Sequence, residues 1–197
     1  MGIRLAAIDV GSNAIRLALG ELVDKKNIEI IHNYRVPVRL GAESFSKDRK
    51  IGDRTLKKLL KAFVEFQKLI IKYDVKYYKA VATSALRDAK NKEELLDLIY
   101  ATSHIQLDII NGSEEARLVH LGVSHMVNTS KKNALLMDIG GGSVEFIVSV
   151  NGKIRKALSI NMGTVRLLNK YRKSKNGVLA KKLKKEIVVY SILLLFA

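Results

Sequence analysis

The chain states one pattern twice, and that repetition constrains its fold more than any other feature. The stretch Leu135-Leu136-Met137-Asp138-Ile139-Gly140-Gly141-Gly142-Ser143-Val144-Glu145-Phe146-Ile147-Val148 passes from an apolar run through one carboxylate, three glycines and a serine into a second apolar run. It reads as strand, tight glycine turn, strand: a β-hairpin with an acid at its tip. Placing Asp9 on Asp138 aligns Ala6-Ala7-Ile8-Asp9-Val10-Gly11-Ser12-Asn13-Ala14-Ile15-Arg16-Leu17-Ala18-Leu19 with it, 129 residues earlier. Val10 meets Ile139, Gly11 meets Gly140, and Leu17, Ala18 and Leu19 meet Phe146, Ile147 and Val148. Such spacing is too wide for a solenoid. It predicts two similar α/β lobes, each offering a glycine hairpin, with a cleft between them.

Consecutive glycines leave backbone N–H groups uncovered by any Cβ, so a phosphate can approach them closely. Asp138 stands beside that cradle, where a Mg²⁺ bridging phosphate oxygens takes a hard oxygen ligand. One such loop alone reads sooner as an ordinary hairpin with a polar tip; two in register argue for a shared use.

Between the repeats the chain alternates strand and helix. Ile3–Leu22 forms the first hairpin and Ile28–Leu40 supplies further strand. Asp53 is placed to cap a helix reaching about Tyr73, with Leu56, Leu59, Leu60, Phe63, Phe66 and Ile70 facing the core. Tyr77–Ala82 reads as a buried strand running into Thr83-Ser84-Ala85-Leu86-Arg87-Asp88. Hydroxyls and an arginine just past a strand end sit where α/β folds place ligands, although Arg87 taken alone reads equally as a surface ion-pair partner. Glu93–Tyr100 predicts a short helix and Gln106–Ile110 another buried strand. Ser113 is then a natural N-cap for a helix opening Glu114-Glu115-Ala116-Arg117. Acids in a first turn suit the helix dipole whatever the function, but a strand-end carboxylate facing a phosphate loop is also where a general base for water attack belongs.

Composition removes several classes. The 197 residues contain no cysteine, which excludes disulfides, thiol catalysis and cysteine metal sites. Apolar content of 48% and a mean hydropathy of +0.04 fit a soluble globular chain. The chain enters a strand at once with no signal-peptide pattern, from which a cytoplasmic location is expected. The apolar run Ile187–Ala197 has 11 residues, against roughly 17–25 for a membrane span, so no span is expected. Net charge is +16, and residues 153–186 hold twelve Lys/Arg against one acid. A basic segment of this kind is either a polyanion contact or a solvated helix face. A nucleic-acid binder would be expected to interleave aromatics or present a recognition helix, and neither is visible, so no specific nucleic-acid partner is expected.

Four motifs in order resemble the exopolyphosphatase / guanosine pentaphosphate phosphohydrolase family: Asp9-Val10-Gly11-Ser12-Asn13, Ala82-Thr83-Ser84-Ala85-Leu86-Arg87, Gly112-Ser113-Glu114-Glu115-Ala116-Arg117-Leu118 and Asp138-Ile139-Gly140-Gly141-Gly142-Ser143. The resemblance covers about residues 3–172. It implies an α/β fold of duplicated actin-like (ribonuclease H-like) lobes, with mixed sheets flanked by helices. The family's water-activating glutamate matches Glu115. Its phosphate-contacting positions match Gly11, Ser12, Asn13, Arg87, Gly140, Gly141, Gly142 and Ser143. Its metal-holding carboxylates match Asp138 and Glu145, with Mg²⁺ or Mn²⁺ as the ion. The implied reaction is hydrolysis of a terminal phosphoanhydride of polyphosphate or guanosine pentaphosphate.

Ser159-Ile160-Asn161-Met162-Gly163-Thr164-Val165-Arg166-Leu167 still resembles the family's turn into a second-lobe helix, but the match fades beyond about Lys173. The expected organisation is a first lobe over residues 1–122 and an incomplete second lobe over 123–197. Self-association, as a homodimer or as aggregates, is expected through residues 187–197. The competing reading is a non-catalytic remnant that binds polyphosphate or nucleotide.

Overall fold

Apolar alternation makes the first hairpin. β1 (Ile3–Val10) and β2 (Ile15–Leu22) pair antiparallel from Ile3 opposite Leu22 to Val10 opposite Ile15. A computed structural model describes residues 2–24, 27–171 and 181 of the chain. β3 (Ile28–Val36) pairs antiparallel with β2 and stops short of the expected Leu40, because Pro37 has no N–H to donate to a ladder. After the short α1 (Gly41–Ser44) comes α2 (Asp53–Lys72), then β4 (Tyr77–Ala82), α3 (Ser84–Asp88), α4 (Lys92–Ser103) and β5 (Asp108–Ile109). β4 lies parallel to β1 and β5 parallel to β4, giving the sheet order β3-β2-β1-β4-β5. That is the ribonuclease H-like order of an actin-like lobe.

One face of this sheet is the core. Ala6, Ile8 and Val10 of β1, Ile15, Leu17 and Leu19 of β2, and Ala80 and Ala82 of β4 join Leu59, Phe63 and Phe66 of α2 and Leu95 and Ile99 of α4 in one buried cluster. The helical spacing of α2 was legible, but its cap was not. Asp53 is the first helical residue, and Gly52 precedes it in extended conformation without a side-chain cap. The Glu43 carboxylate of α1 does the work instead, accepting from Gly52 N–H at 2.8 Å and from the Thr55 hydroxyl at 2.6 Å. Two expected buried strands also differ. Tyr77, Tyr78 and Lys79 at the start of β4 are exposed: Tyr77 and Lys79 lie on the sheet face opposite the core residues Ala80 and Ala82, and Tyr78 lies on the core face toward the end of the sheet. Residues 106–110 reduce to a two-residue strand, because Gln106 N–H is taken by the Tyr78 hydroxyl rather than by a ladder.

The chain divides into two compact units, Met1–Asn111 and Gly112–Ala197. The expected boundary at 122/123 falls inside α5 (Gly112–Met126), which packs on strands of the second unit. That unit continues with β6 (Asn133–Ile139), β7 (Val144–Val150), β8 (Lys153–Ile160) and α6 (Thr164–Tyr171), its strands forming an antiparallel sheet in the order β6-β7-β8.

The repeat holds at the level of single hydrogen bonds. Gly11 N–H donates to Ala14 O at 3.1 Å in the first hairpin, and Gly140 N–H to Ser143 O at 3.0 Å in the second. The register shift between β2 and β3 falls at Leu19/Gly20 and that between β7 and β8 at Val148/Ser149, again 129 residues apart. The fold is thus α/β with duplicated actin-like lobes, the second represented by three strands among the described residues. Its consequence for burial is large. Ala6, Ile8 and Val10 are 6%, 1% and 0% exposed, whereas their counterparts Leu135, Met137 and Ile139 are 66%, 57% and 58% exposed. Helices α2 and α4 cover the first set, and no described helix covers the second. The expected association segment, 187–197, lies outside the described residues. No described helix is long and apolar enough to cross a membrane.

Candidate active site

Each glycine hairpin carries its acid one residue before the strand end, directly opposite a residue of the returning strand. In the first unit Asp9 faces Arg16, and the two form an ion pair at 3.2 Å. At the equivalent pair of the second unit Asp138 faces Glu145. Directly opposed like charges destabilise an antiparallel pair unless a cation or a proton intervenes. Asp138 is exposed, while Glu145 is fully buried, with Oε1 accepting from the Ser159 hydroxyl at 2.7 Å. Its Oε2 is buried without a hydrogen-bond partner among the described residues. The donor set fits a Mg²⁺ or Mn²⁺: two hard carboxylates on one sheet face, one with an oxygen that nothing else uses, beside a loop able to receive phosphate. No cluster of three or more His, Cys, Asp or Glu able to hold a metal occurs among the described residues. Mg²⁺ commonly takes only one or two carboxylates and fills its shell with water and phosphate.

Helix α5 brings Glu115 to the same unit. The helix begins at Gly112, so Ser113 lies within its first turn rather than capping it. Any side chain at Gly112 would overlap Ser159, which puts the positive end of the helix dipole over the Ser159–Glu145 pair. Glu115 is half-buried on that first turn. Its neighbour Glu114 is committed elsewhere, accepting from Arg117 Nε at 2.7 Å and Nη2 at 2.8 Å, and this carboxylate holds the Arg117 guanidinium above its ordinary value. Deeper along α5, His120 Nε2 lies 3.0 Å from the Ser149 hydroxyl, pinning the helix to β7.

The Gly140–Gly142 loop is clamped from one side by the start of α6. Thr164 N–H donates to Gly140 O at 3.0 Å, Val165 N–H to Gly141 O at 2.8 Å, and Arg166 Nε to Gly142 O at 2.7 Å. None of the three loop glycines has a positive φ. The residue with no room for a side chain is Gly163, where a Cβ would run into the backbone of Gly141 and Gly142. Gly163→Ala therefore costs about 1–3 kcal/mol, read by urea denaturation, because helix or loop must give way; unchanged stability would show that this contact is absent. Ser143 is buried, so what the loop tip offers is backbone.

In the first unit the corresponding loop is built alike. Ser12 is buried, its Oγ 3.3 Å from the Ser84 hydroxyl at the start of α3, and its carbonyl accepts from Gly41 N–H at 2.8 Å. Asn13 is exposed. Arg87, on α3, donates from Nη1 to Ile110 O at 2.6 Å, which holds the arginine at the end of β4 and β5. Gly11, Ser12, Asn13 and Arg87 are thus gathered at one sheet end, as are Asp138, Gly140–Ser143, Glu145 and Glu115 in the second unit. Gly112, Ser159, Gly163 and Arg166 had been given no individual role from the sequence. Ser159, Gly163 and Arg166 lie in a stretch already singled out, and only the contacts give them one.

Residues 21–189 match the model of the Ppx/GppA phosphatase family. The chain belongs to this family. Exopolyphosphatase 1 of Mycobacterium tuberculosis is 33% identical over 168 residues, covering 85% of this chain and 48% of the relative. The bifunctional 3-dehydroquinate synthase/phosphatase of Fusobacterium nucleatum is 34% identical over 174 residues, 84% of this chain and 26% of that protein. Among solved structures, the Ppx/GppA family member of Aquifex aeolicus superposes with a TM-score of 0.76 at 27% identity, over 91% of this chain and 58% of that one. An exopolyphosphatase from Cytophaga hutchinsonii superposes with a TM-score of 0.80 at 31% identity, over 85% and 53%. The chain spans about half the length of the Ppx/GppA exopolyphosphatases it matches.

Proposed function

We propose that this chain hydrolyses the terminal phosphoanhydride of inorganic polyphosphate, with guanosine pentaphosphate as a second substrate of the same chemistry. The observation that carries the reading is the opposed pair Asp138 and Glu145, with the unpartnered buried Glu145 Oε2, beside the Gly140–Gly142 loop of a Ppx/GppA chain. The names of the exopolyphosphatase relatives support polyphosphate as the substrate class.

In this reading Asp138 and Glu145 hold a Mg²⁺ or Mn²⁺, which when bound neutralises charge on the phosphoryl oxygens. The Gly140–Gly142 loop receives the terminal phosphate through backbone N–H groups, and Gly11, Ser12 and Asn13 with Arg87 form the phosphate-binding set of the first unit. Glu115 takes a proton from water as the water oxygen bonds to the terminal phosphorus. The anhydride P–O bond breaks, and its electron pair leaves on the bridging oxygen of the shortened chain. Phosphoryl transfer of this kind asks the protein mainly for positioning and charge neutralisation. A cytoplasmic location is part of this reading.

The test is phosphate release by the purified chain from polyphosphate and from guanosine pentaphosphate, with and without Mg²⁺. Metal-dependent release from either supports the reading. Polyphosphate binding without release would favour the non-catalytic reading, for which the exposure of Leu135, Met137 and Ile139, covered by no helix among the described residues, is the supporting observation.

A further inference from the structure

We propose that Arg166 is the positioning residue of the second glycine loop, turning its N–H groups toward the phosphate by holding the Gly142 carbonyl on the opposite side. This rests on the assignment of Gly140–Gly142 as a phosphate loop. In a trans peptide the C=O of one residue and the N–H of the next point in opposite directions. Carbonyls of Gly140, Gly141 and Gly142 are drawn toward α6 by Thr164 N, Val165 N and Arg166 Nε. The N–H groups of Gly141, Gly142 and Ser143 consequently face away from α6. Those of Gly141 and Gly142 make no hydrogen bond among the described residues. A row of such N–H groups is an anion-binding concavity.

The internal repeat isolates what is special about Arg166. At the first hairpin Ser12, the counterpart of Gly141, has its carbonyl held by the backbone N–H of Gly41, just as Gly141 is held by that of Val165. Asn13, the counterpart of Gly142, has its carbonyl held by the backbone N–H of Arg39 at 3.0 Å. In the second hairpin that last bond comes from a side chain. Two peptides of the loop are therefore set by main chain, whereas the Gly142–Ser143 peptide is set by one guanidinium. Glycine at 142 opposes no rotation of its own, so removing the guanidinium frees that peptide to turn and withdraws the Ser143 N–H from the row.

The experiment compares the full chain with Arg166→Met, which has no donor, and Arg166→Gln, which keeps a neutral donor. Binding of a polyphosphate of defined length is measured by calorimetry, and amide shifts of the ¹⁵N-labelled chain at Gly141, Gly142 and Ser143 are followed on its addition. Loss of one hydrogen bond to a charged ligand predicts affinity on the order of tenfold weaker in the Met variant. The polyphosphate-induced shift at Ser143 shrinks while those at Gly141 and Gly142, whose peptides are held by main chain, persist; the melting curve is preserved, and the Gln variant recovers part of the affinity. In turnover the loss falls on KM and not on kcat, because the N–H contact serves substrate and transition state alike. Wild-type affinity and shifts in the Met variant would overturn the proposal. So would failure of both variants to fold, which would make Arg166 a stability element. Binding is read without turnover, so a wild-type chain that binds but releases no phosphate counts against the hydrolase and leaves Arg166 tested.

Discussion

Glu115→Gln is expected to lower phosphate release from polyphosphate by about 10²–10⁴-fold, the contribution of a positioned general base. Binding is retained, because the amide keeps the shape of the carboxylate and removes only its capacity to take a proton. The loss therefore falls on kcat. Glu114→Gln serves as the control: Glu114 is engaged with Arg117 by two hydrogen bonds, and its substitution loosens a surface ion pair of small worth. Steady-state rates for the two variants measured side by side decide the matter. Equal activity of wild type and Glu115→Gln removes Glu115 from the role of base, and a selective loss in Glu114→Gln moves that role one residue back.

Turnover is expected to disappear in chelator and to return with Mg²⁺ or Mn²⁺, and Asp138→Ala is expected either to abolish it or to raise the metal concentration required. Glu145 allows a measurement that does not depend on activity. A ligand that binds the folded chain raises its stability by RT ln(1 + [L]/Kd), so Mg²⁺ raises the melting temperature of the wild type. In Glu145→Gln that shift is lost, while the metal-free variant melts no lower than wild type, because the substitution removes a negative charge facing Asp138 across the strand pair. A Mg²⁺ shift in Glu145→Gln as large as in wild type means that the ion sits elsewhere. Full activity in chelator refutes the metal altogether.

How much of this was legible in the sequence differs from element to element. The first hairpin was, to the residue, and the second to within two residues at each end, because a strand with one buried face must alternate and a tight turn must carry residues that tolerate it. Both requirements are written in neighbouring positions. The apolar stripe of α2 was legible for the same local reason. The helix's cap was not, since Glu43 reaches Gly52 and Thr55 from another helix. Strand β5 was overestimated because Gln106–Ile110 has strand-like composition, but a strand needs a neighbour, and the Tyr78 hydroxyl takes the first N–H that a ladder would use.

The candidate site divides along the same line. Acids, glycines and the glutamate at the head of α5 were recognisable by type and spacing, as was their order along the chain. Glu114 and Glu115 were indistinguishable by type alone. The structure adds that Glu114 pairs with Arg117, its neighbour on the helix surface.

By itself the sequence determined that the chain repeats one hairpin 129 residues apart, that each copy ends in an acid and a small-residue turn, and that the lobes are α/β. All of these follow from short-range rules of backbone geometry and periodicity. Tertiary structure alone decided that Asp9 is neutralised by Arg16 while Asp138 faces a second carboxylate, and that Ser159 and the head of α5 meet over Glu145. It also decided that a side chain from α6 takes the place of a backbone N–H behind Gly142. The two opposed pairs lie across one hairpin each and follow from its register, whereas the contacts of Ser159 with Glu145 and Gly112 and of Arg166 with Gly142 join separate elements, and whether such groups meet depends on how the elements pack.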